Sequence, residues 1–346
     1  MKAQVLHAIG DLRLEEVPTP MPREGEVLLR VGACGVCGSD IPRIFSKGTY
    51  RFPTIPGHEF AGTVVAAGKG VSGLLVGSRA AVFPLIPCRQ CGPCSIGAFA
   101  QCENYDYLGS RSDGAFAEHV RVPAWNLLPL PPDLSLEEAA CVEPAAVAAH
   151  ALRRAQVDLG DSVLIFGAGP IGLLVALWAQ LWGAAKVLVV DIDVERLRFA
   201  RKIGFLHLFD ARGDVGDWVR KKTERGADIV VEASGSAPAL ENCMRCVRTF
   251  GKVVLLGNPA GGMALSQDSY WAILRKELTV VGSWNSVYND TPRNEWKLAI
   301  DAMASGKLDV KRLITHRTTL DGLWDHLLMM RDRSPFSNKV MLIGEE

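Results

Sequence analysis

Residues 163–191, VLIFGAGPIGLLVALWAQLWGAAKVLVVD, constrain the fold more than any other stretch of this chain. The apolar run 163–166 reads as a buried strand, and Gly167-Ala168-Gly169-Pro170-Ile171-Gly172 as a tight turn that opens a helix. Residues 187–190 read as a second strand, ending on Asp191. This is a G-x-G-x-x-G inside a strand–turn–helix–strand unit, with an acid about twenty residues further on. Glycine is needed because the backbone takes unusual dihedrals there, and because a pyrophosphate must approach without meeting a Cβ. The helix N-terminus offers unpaired N–H groups and partial positive charge to that anion, and Asp191 offers an acceptor to ribose hydroxyls. The pattern predicts dinucleotide binding. The uncharged run 163–185 is long enough to cross a bilayer at about 1.5 Å per residue. Its glycines and Pro170 break it into a strand and a shorter helix, however, both suited to the core of a parallel sheet, so no membrane span is expected.

A chain of 346 residues is expected to hold two domains. Hydrophobic residues at 48% and charged residues at 22% are ordinary for a globular protein. Lys+Arg equals Asp+Glu at 38 each, which leaves no electrostatic footprint for nucleic acid or an anionic membrane. The opening MKAQVLHAIGDLRLEEVP has no signal-like apolar region and reads as two short strands, so a cytoplasmic location is expected. In a reducing compartment the nine cysteines read as thiols or metal ligands rather than disulfides.

Up to about residue 140 the pattern is short apolar runs with glycine punctuation (27–31, 62–67, 78–83, 119–122), which predicts an antiparallel, barrel-like β region. Ser135-Leu-Glu-Glu138 fits a capping box, starting a helix through the alanine-rich 139–155 that Pro144 should kink or split near Glu143. From Asp161 strands at 163–166, 187–190, 229–232 and 253–257 alternate with amphipathic segments such as 194–203 and 239–247. That order predicts an open parallel sheet with helices on both faces. Residues 278–284 read as a late strand, Thr291 as the cap of a helix with Pro292 at its first position and Gly306 at its close, and 340–343 as a last strand. The tail is expected to fold back onto the N-terminal region.

Two groups of side chains suggest metal chemistry. Cys88-x2-Cys91-x2-Cys94-x7-Cys102 can close a thiolate tetrahedron around zinc, leaving no open position, which is a structural arrangement. An iron–sulfur reading fails on the fourth spacing and the missing proline. The second group is dispersed: Cys37 in Gly35-Val-Cys-Gly-Ser-Asp40, His58 and Glu59 in Pro56-Gly-His-Glu59, and Glu143 in Cys141-Val-Glu-Pro144. Sulfur, imidazole and carboxylate together suit zinc with one position left open, a catalytic arrangement. Taken singly, His58 could be an ordinary buried histidine, and Cys34-x2-Cys37 a redox pair. Cys34, Cys141, Cys243 and Cys246 read as small buried thiols.

With the glycine turn, these motifs resemble the zinc-dependent medium-chain alcohol dehydrogenase family over nearly the whole chain, and within it the polyol, sorbitol-dehydrogenase-like branch. Three segments, Cys37-Gly-Ser-Asp-Ile-Pro-Arg-Ile-Phe45, Tyr105-Asp-Tyr-Leu-Gly-Ser-Arg111 and Arg275-Lys-Glu-Leu-Thr-Val-Val-Gly-Ser-Trp284, look similar to the group of that branch acting on galactitol 1-phosphate. The resemblance implies an α/β fold: a doubly wound Rossmann sheet inserted in a GroES-like antiparallel β-barrel catalytic domain. Residues 1–150 and 285–346 would form the catalytic domain, with the structural zinc loop at 84–104, and 151–284 the NAD-binding domain. It implies two zincs per chain, the catalytic one held by Cys37, His58 and Glu143, with Glu59 either a direct ligand or one alternating with water. Asp40 would orient the ring of His58. Ser39 would take the alcohol proton, and Pro42 stands where many members carry a relay histidine. The protein would be a homodimer or homotetramer, with the late strand at a subunit edge.

Cofactor and substrate expectations follow. Asp191 would repel a 2′-phosphate, Ile192 and Asp193 offer no arginine to welcome one, and Arg196 could cover the adenine or face solvent, so NAD is expected over NADP. A polyol phosphate needs a cation, for which Arg43, Lys47 and Arg111 are the candidates, while Trp284 and Asn285 could wall the substrate cleft. The expected reaction is oxidation of galactitol 1-phosphate to tagatose 6-phosphate with hydride transfer to NAD. An unphosphorylated polyol, butanediol or threonine dehydrogenase is the alternative on the same scaffold. A non-catalytic NAD-binding structural protein is the alternative of another class, and it would have no reason to keep the open Cys/His/Glu set with Ser39.

Overall fold

The computed structural model describes residues 1–73, 76–259, 261–289 and 294–344. The chain starts as an antiparallel hairpin, β1 (Lys2–Ala8) and β2 (Asp11–Glu16), with Lys2 opposite Glu16. β3 (Glu26–Gly35) and β4 (Glu59–Ala67) follow, separated by the short helix α1 (Asp40–Pro42) and a π-helical turn (Arg43–Lys47). Next come β5 (Arg79–Val82), β6 (Leu85–Ile86), α2 (Gly92–Ser95), β7 (Asp106–Tyr107), β8 (His119–Pro123) and β9 (Leu127–Pro129).

The capping box forms as expected: Ser135 and Glu138 bond reciprocally and start α3 (Leu136–Ala140). The helix breaks at Cys141, and α4 (Val142–Ala155) takes over. Pro144 is the cause. It lacks the N–H that would bond the carbonyl of Ala140, so it is tolerated only in the first turn of a new helix. Two compact units divide inside α4, one of Met1–Glu143 with Val287–Glu346 and the other of Pro144–Ser286.

In the second unit β10 (Ser162–Phe166), α5 (Pro170–Leu181), β11 (Lys186–Asp191), α6 (Val194–Lys202), β12 (His207–Asp210), α7 (Val215–Thr223), β13 (Ala227–Glu232), α8 (Ala237–Cys246), β14 (Val247–Leu255), α9 (Gln267–Arg275) and β15 (Thr279–Gly282) alternate. The sheet is wholly parallel, in the order β12-β11-β10-β13-β14-β15. Strand order reverses between β10 and β13, the switch point at which doubly wound sheets bind ligands. β10 is buried at every position, as a central parallel strand must be. β12, α7 and α9 escaped the sequence pattern; β12 is only half-buried throughout and carries no alternation to read. β14 starts at Val247 rather than 253, because its first turn of chain carries Arg248, Thr249 and Phe250 outward.

The chain returns to the first unit through α10 (Glu295–Ala304), β16 (Ile314–Thr318), α11 (Leu323–Asp332) and β17 (Lys339–Ile343). Thr291 and Pro292 lie outside the described residues; Asn294 caps α10 by accepting from Trp296 and Lys297 N–H. An aromatic cluster anchors the returning segment. Tyr288 stacks on Phe83 at 4.3 Å, and its hydroxyl donates to the Trp125 carbonyl at 2.6 Å. β17 then pairs with β3, giving a seven-stranded sheet in the order β16-β17-β3-β4-β5-β9, with β8 also on β3. Its core holds Leu6, Leu29, Val31, Phe60, Val64, Phe116 and Leu342. No helix among the described residues is long and apolar enough to cross a membrane.

Candidate active site

Strand register builds the dispersed centre of the first unit. Gly35, the last residue of β3, lies opposite Glu59 of β4 on one side and Met341 of β17 on the other. Cys37 follows just beyond the end of β3, His58 stands just before β4, and Lys339 opens β17. One donor atom each from Cys37, His58 and Glu59 lie within 4.8 Å of one another. A Cβ on Gly35 would sit 2.5 Å from Glu59 Oε2, so glycine is what lets this carboxylate lie against the strand end. Lys339 Nζ reaches the same carboxylate at 2.5 Å, and both side chains are buried.

Asp40, fully buried, accepts from the Cys37 N–H at 3.0 Å and from Arg43 Nη1 at 2.7 Å, and faces His58 Nδ1 at 3.4 Å. Burial would raise its carboxyl, but His58, Arg43 and the Cys37 N–H outweigh burial and hold it below the usual range. Burial likewise opposes charge on His58, yet Asp40 and Cys37 hold its pKa well above the ordinary imidazole value. Glu143 stands outside the tight group. It accepts from the Tyr107 hydroxyl at 3.4 Å, and burial, with Glu59 nearby, pushes its carboxyl up to about 7. These buried anionic groups draw positive charge, and sulfur, imidazole and carboxylate together match zinc. Ser39, at the start of α1, spends no hydroxyl bond on capping it.

The four-cysteine loop is closed on itself. The sulfurs of Cys88, Cys91, Cys94 and Cys102 lie within 4.8 Å of one another, and all four cysteines are free. Cys91 and Cys102 sulfurs are 3.9 Å apart. A tetrahedron with zinc–sulfur bonds of ~2.3 Å has an edge of about 3.8 Å. The backbone N–H groups of Gln90 and Cys91 aim at Cys88 and lower its thiol to about 6.

In the second unit the glycine turn caps the end of β10. Gly167 has φ +108° and donates its N–H to the Val190 carbonyl at 2.8 Å. Gly169 is the N-cap of α5 and Pro170 its first residue; a Cβ on Gly169 would meet only Arg196 Nη1, at 3.8 Å. A Cβ on Gly172 would lie 1.9 Å from the Gly167 carbonyl oxygen, so the turn can fold back on its own helix only with glycine there. Asp191 accepts from the Ala168 N–H at 2.7 Å and the Asp193 N–H at 2.9 Å. Arg196 lies 3.6 Å from Asp191 and 3.8 Å from Asp193, answering two carboxylates. The open face at Gly169, beside unpaired N–H groups at a helix start, fits a pyrophosphate.

The alcohol dehydrogenase GroES-like domain family matches residues 23–132, and the zinc-binding dehydrogenase family residues 170–305. The chain belongs to the zinc-dependent medium-chain alcohol dehydrogenases. It is 34% identical to galactitol 1-phosphate 5-dehydrogenase of Escherichia coli strain K12, over 99% of this chain and 100% of that one. It is 35% identical to D-xylulose reductase A of Aspergillus oryzae (90% and 88%) and 32% to sorbitol dehydrogenase of Bacillus subtilis (94% and 92%). The crystal structure of the Escherichia coli galactitol-1-phosphate dehydrogenase superposes with a TM-score of 0.93, at 34% identity, over 99% of this chain and 100% of that one. Two further neighbours, each with a TM-score of 0.90 over 99% of this chain, carry nicotinamide cofactors. One is an Escherichia coli CFT073 alcohol dehydrogenase with NADH, at 28% identity and 99% of its own length; the other a Sinorhizobium meliloti zinc-binding dehydrogenase with NADP, at 30% and 98%. The dehydrogenase uses zinc and a nicotinamide cofactor on alcohols of the polyol class.

Among the substrate candidates, Arg43 is committed to Asp40, which removes it as a free phosphate partner. Lys47 is exposed at the end of the π-helical turn. Arg111 lies between the rings of Tyr50 and Tyr105. Trp284 is exposed, and Asn285 has φ +55°. Three residues of the dehydrogenase escaped sequence reading. Lys339 looks like an ordinary strand-end charge. Tyr107 gave no signal beyond its segment. Glu232 was legible in principle, as an acid ending an apolar strand before Ser-Gly-Ser. It accepts from the N–H groups of Ser234 and Gly235, at 2.8 and 2.9 Å, and fixes the loop beside Gly167.

Proposed function

We propose that this dehydrogenase oxidises a secondary hydroxyl of a polyol phosphate to a ketose phosphate with NAD, specifically galactitol 1-phosphate to tagatose 6-phosphate. The full-length likeness to galactitol 1-phosphate 5-dehydrogenase carries the substrate reading. Cys37, His58 and Glu143 are the catalytic zinc ligands. Glu59, already within donor distance of Cys37 and His58, is the second carboxylate and would alternate with water at the open position, and Lys339 holds it in place. Cys88, Cys91, Cys94 and Cys102 hold the structural zinc.

When bound, zinc supplies Lewis acidity to the alcohol oxygen, and NAD supplies the hydride acceptor. Asp40 fixes the ring of His58 and keeps it a strong donor. Ser39, with its hydroxyl uncommitted at the head of α1, takes the alcohol proton. Pro42 has no group to pass it on, so the onward route runs through water. Ile171 and Gly172 N–H groups, at the start of α5, bind the pyrophosphate, while the bare face of Gly169 lets it approach. Asp191 receives the ribose hydroxyls, and with Asp193 it outnumbers Arg196, so the added charge of a 2′-phosphate is unwelcome.

The edge strand β15 exposes Val280, and α9 exposes Tyr270, Trp271 and Leu274. An apolar edge of this kind is covered by a second copy of the chain, in a homodimer or homotetramer. An unphosphorylated polyol is the second reading, favoured by the 35% identity to D-xylulose reductase A. A substrate panel on the zinc-replete enzyme decides between them. NADH formation from galactitol 1-phosphate should exceed that from galactitol, sorbitol or threonine; equal efficiency on the unphosphorylated polyols would overturn the phosphate reading. Comparable efficiency with NADP would overturn the cofactor assignment.

A further inference from the structure

The segment carrying Arg111 is welded to the segment carrying His58. Gly114 N–H donates to the Ile55 carbonyl at 2.7 Å, Ala115 N–H to Gly57 at 2.9 Å and Phe116 N–H to Pro56 at 2.9 Å. On the other side Thr49 Oγ1 donates to the Ser110 carbonyl, and Arg51 Nε to the Arg111 carbonyl at 3.0 Å. Tyr50, between those two anchors, is thereby placed over the guanidinium. The Arg111 Cζ lies 4.0 Å from the Tyr50 ring centroid and 4.4 Å from that of Tyr105.

Stacking occupies the two faces of a guanidinium but none of its N–H donors, which lie in the plane. The Nε of Arg111 is buried and has no hydrogen-bond partner. Neighbouring cations differ: Arg43 is paired with Asp40, Arg51 with Asp113 and Lys339 with Glu59. No carboxylate pairs with Arg111 among the described residues. Two aromatic side chains hold this charge at a fixed place with no carboxylate to neutralise it and with its Nε–H left without a partner, which suits a receptor for an anion.

Its distance from the metal donors is bridged by the same loop. Tyr105 packs against Tyr107, with ring centroids 6.3 Å apart, and Tyr107 packs edge-on against His58 at 5.8 Å. The fork and the metal donors therefore stand at opposite ends of one wall, two tyrosine rings apart.

Resting on the polyol-phosphate reading, we propose that Arg111, clamped between Tyr50 and Tyr105, is the phosphate receptor that sets substrate choice. The separation selects an acyclic polyol whose phosphate lies several carbons from the reacting hydroxyl. A phosphate next to that hydroxyl would fall short of the fork. Arg111 acts in recognition, so its loss falls on KM rather than on kcat.

Two measurements on the zinc-loaded full chain test this. In steady-state kinetics, R111Q should raise KM for galactitol 1-phosphate about 10- to 100-fold, the range for a lost charge-assisted pair, with kcat much less affected. R111K, which keeps the charge but not the planar fork, should recover only part of the loss. In calorimetric titration, inorganic phosphate should bind the wild type and not R111Q. A KM unchanged in R111Q, or an equal fall in kcat/KM for galactitol and its 1-phosphate, would overturn the receptor while leaving the polyol-phosphate function standing. Phosphate binding that depends on Arg111, in an enzyme that oxidises no polyol phosphate, would support the receptor and overturn the function.

Discussion

The two metal-capable clusters lie in the same unit and are assembled in opposite ways. The cysteine loop takes four like donors from one short segment, with sulfurs at the spacing of a tetrahedron. The other cluster takes unlike donors from strand ends far apart in sequence, and surrounds them with charge: buried Asp40, Glu143 and Lys339, and half-buried Arg43. A closed set of thiolates has nothing left for a substrate; its metal can only brace the chain. The mixed set keeps an open position but must hold several buried charges in balance. The lesson is that a stable metal brace is cheap in sequence, whereas a reactive centre needs the whole sheet behind it.

The sharpest break between the two is expected from paired cysteine variants. Cys37→Ser should lower turnover by about a thousandfold or more, since a Lewis-acid contribution of several kcal/mol is lost. Metal analysis should then give one zinc per chain, with the thermal midpoint little changed. Cys94→Ser should also give one zinc, but the loss should fall on the midpoint, by about 5 °C or more. Equal loss of activity in both variants would erase the distinction.

Next in size is Lys339→Met. It leaves Glu59 buried without its partner, for which a cost of about 3–5 kcal/mol in denaturant unfolding is expected. Adding Glu59→Gln should restore much of that stability, and no recovery would mean that Lys339 acts through packing instead. Asp40→Asn should cost about 10- to 100-fold in zinc affinity or turnover, because His58 loses its orienting carboxylate. An Asp40→Asn enzyme with normal zinc content and rate would remove Asp40 from the account. The smallest effect separates the sites by access. A chelator should empty the mixed cluster first, abolishing activity while the midpoint holds, and simultaneous loss of both zincs would contradict an open centre beside a closed one.

How much of this could be read in advance follows the same divide. The Gly167–Gly172 turn, the capping box at Ser135 and the cysteine loop were legible because each is a local arrangement, satisfied within one or two turns of chain. The break in the helix was misplaced by only a couple of residues, since a proline acts on the carbonyl four residues back. β12 was missed because its half-buried positions carry no alternation to read, whereas α7 buries Val215 and Val219 one turn apart and its period was open to reading.

The sequence alone determined the nucleotide turn, the parallel sheet around it and the four-thiol loop, since those depend on dihedrals and spacings that neighbours along the chain impose. Tertiary structure decided the rest. The Lys339–Glu59 contact spans 280 positions and exists because β17 pairs with β3, which pairs with β4. Arg111 stayed between two rings for the same kind of reason, whereas Arg43 meets Asp40 only three residues back along the chain. A carboxylate one turn away neutralises Arg43, but the placing of Tyr50 over Arg111 needs residues 49–51 to pack on residues 110–111, a contact that neighbours along the chain do not impose.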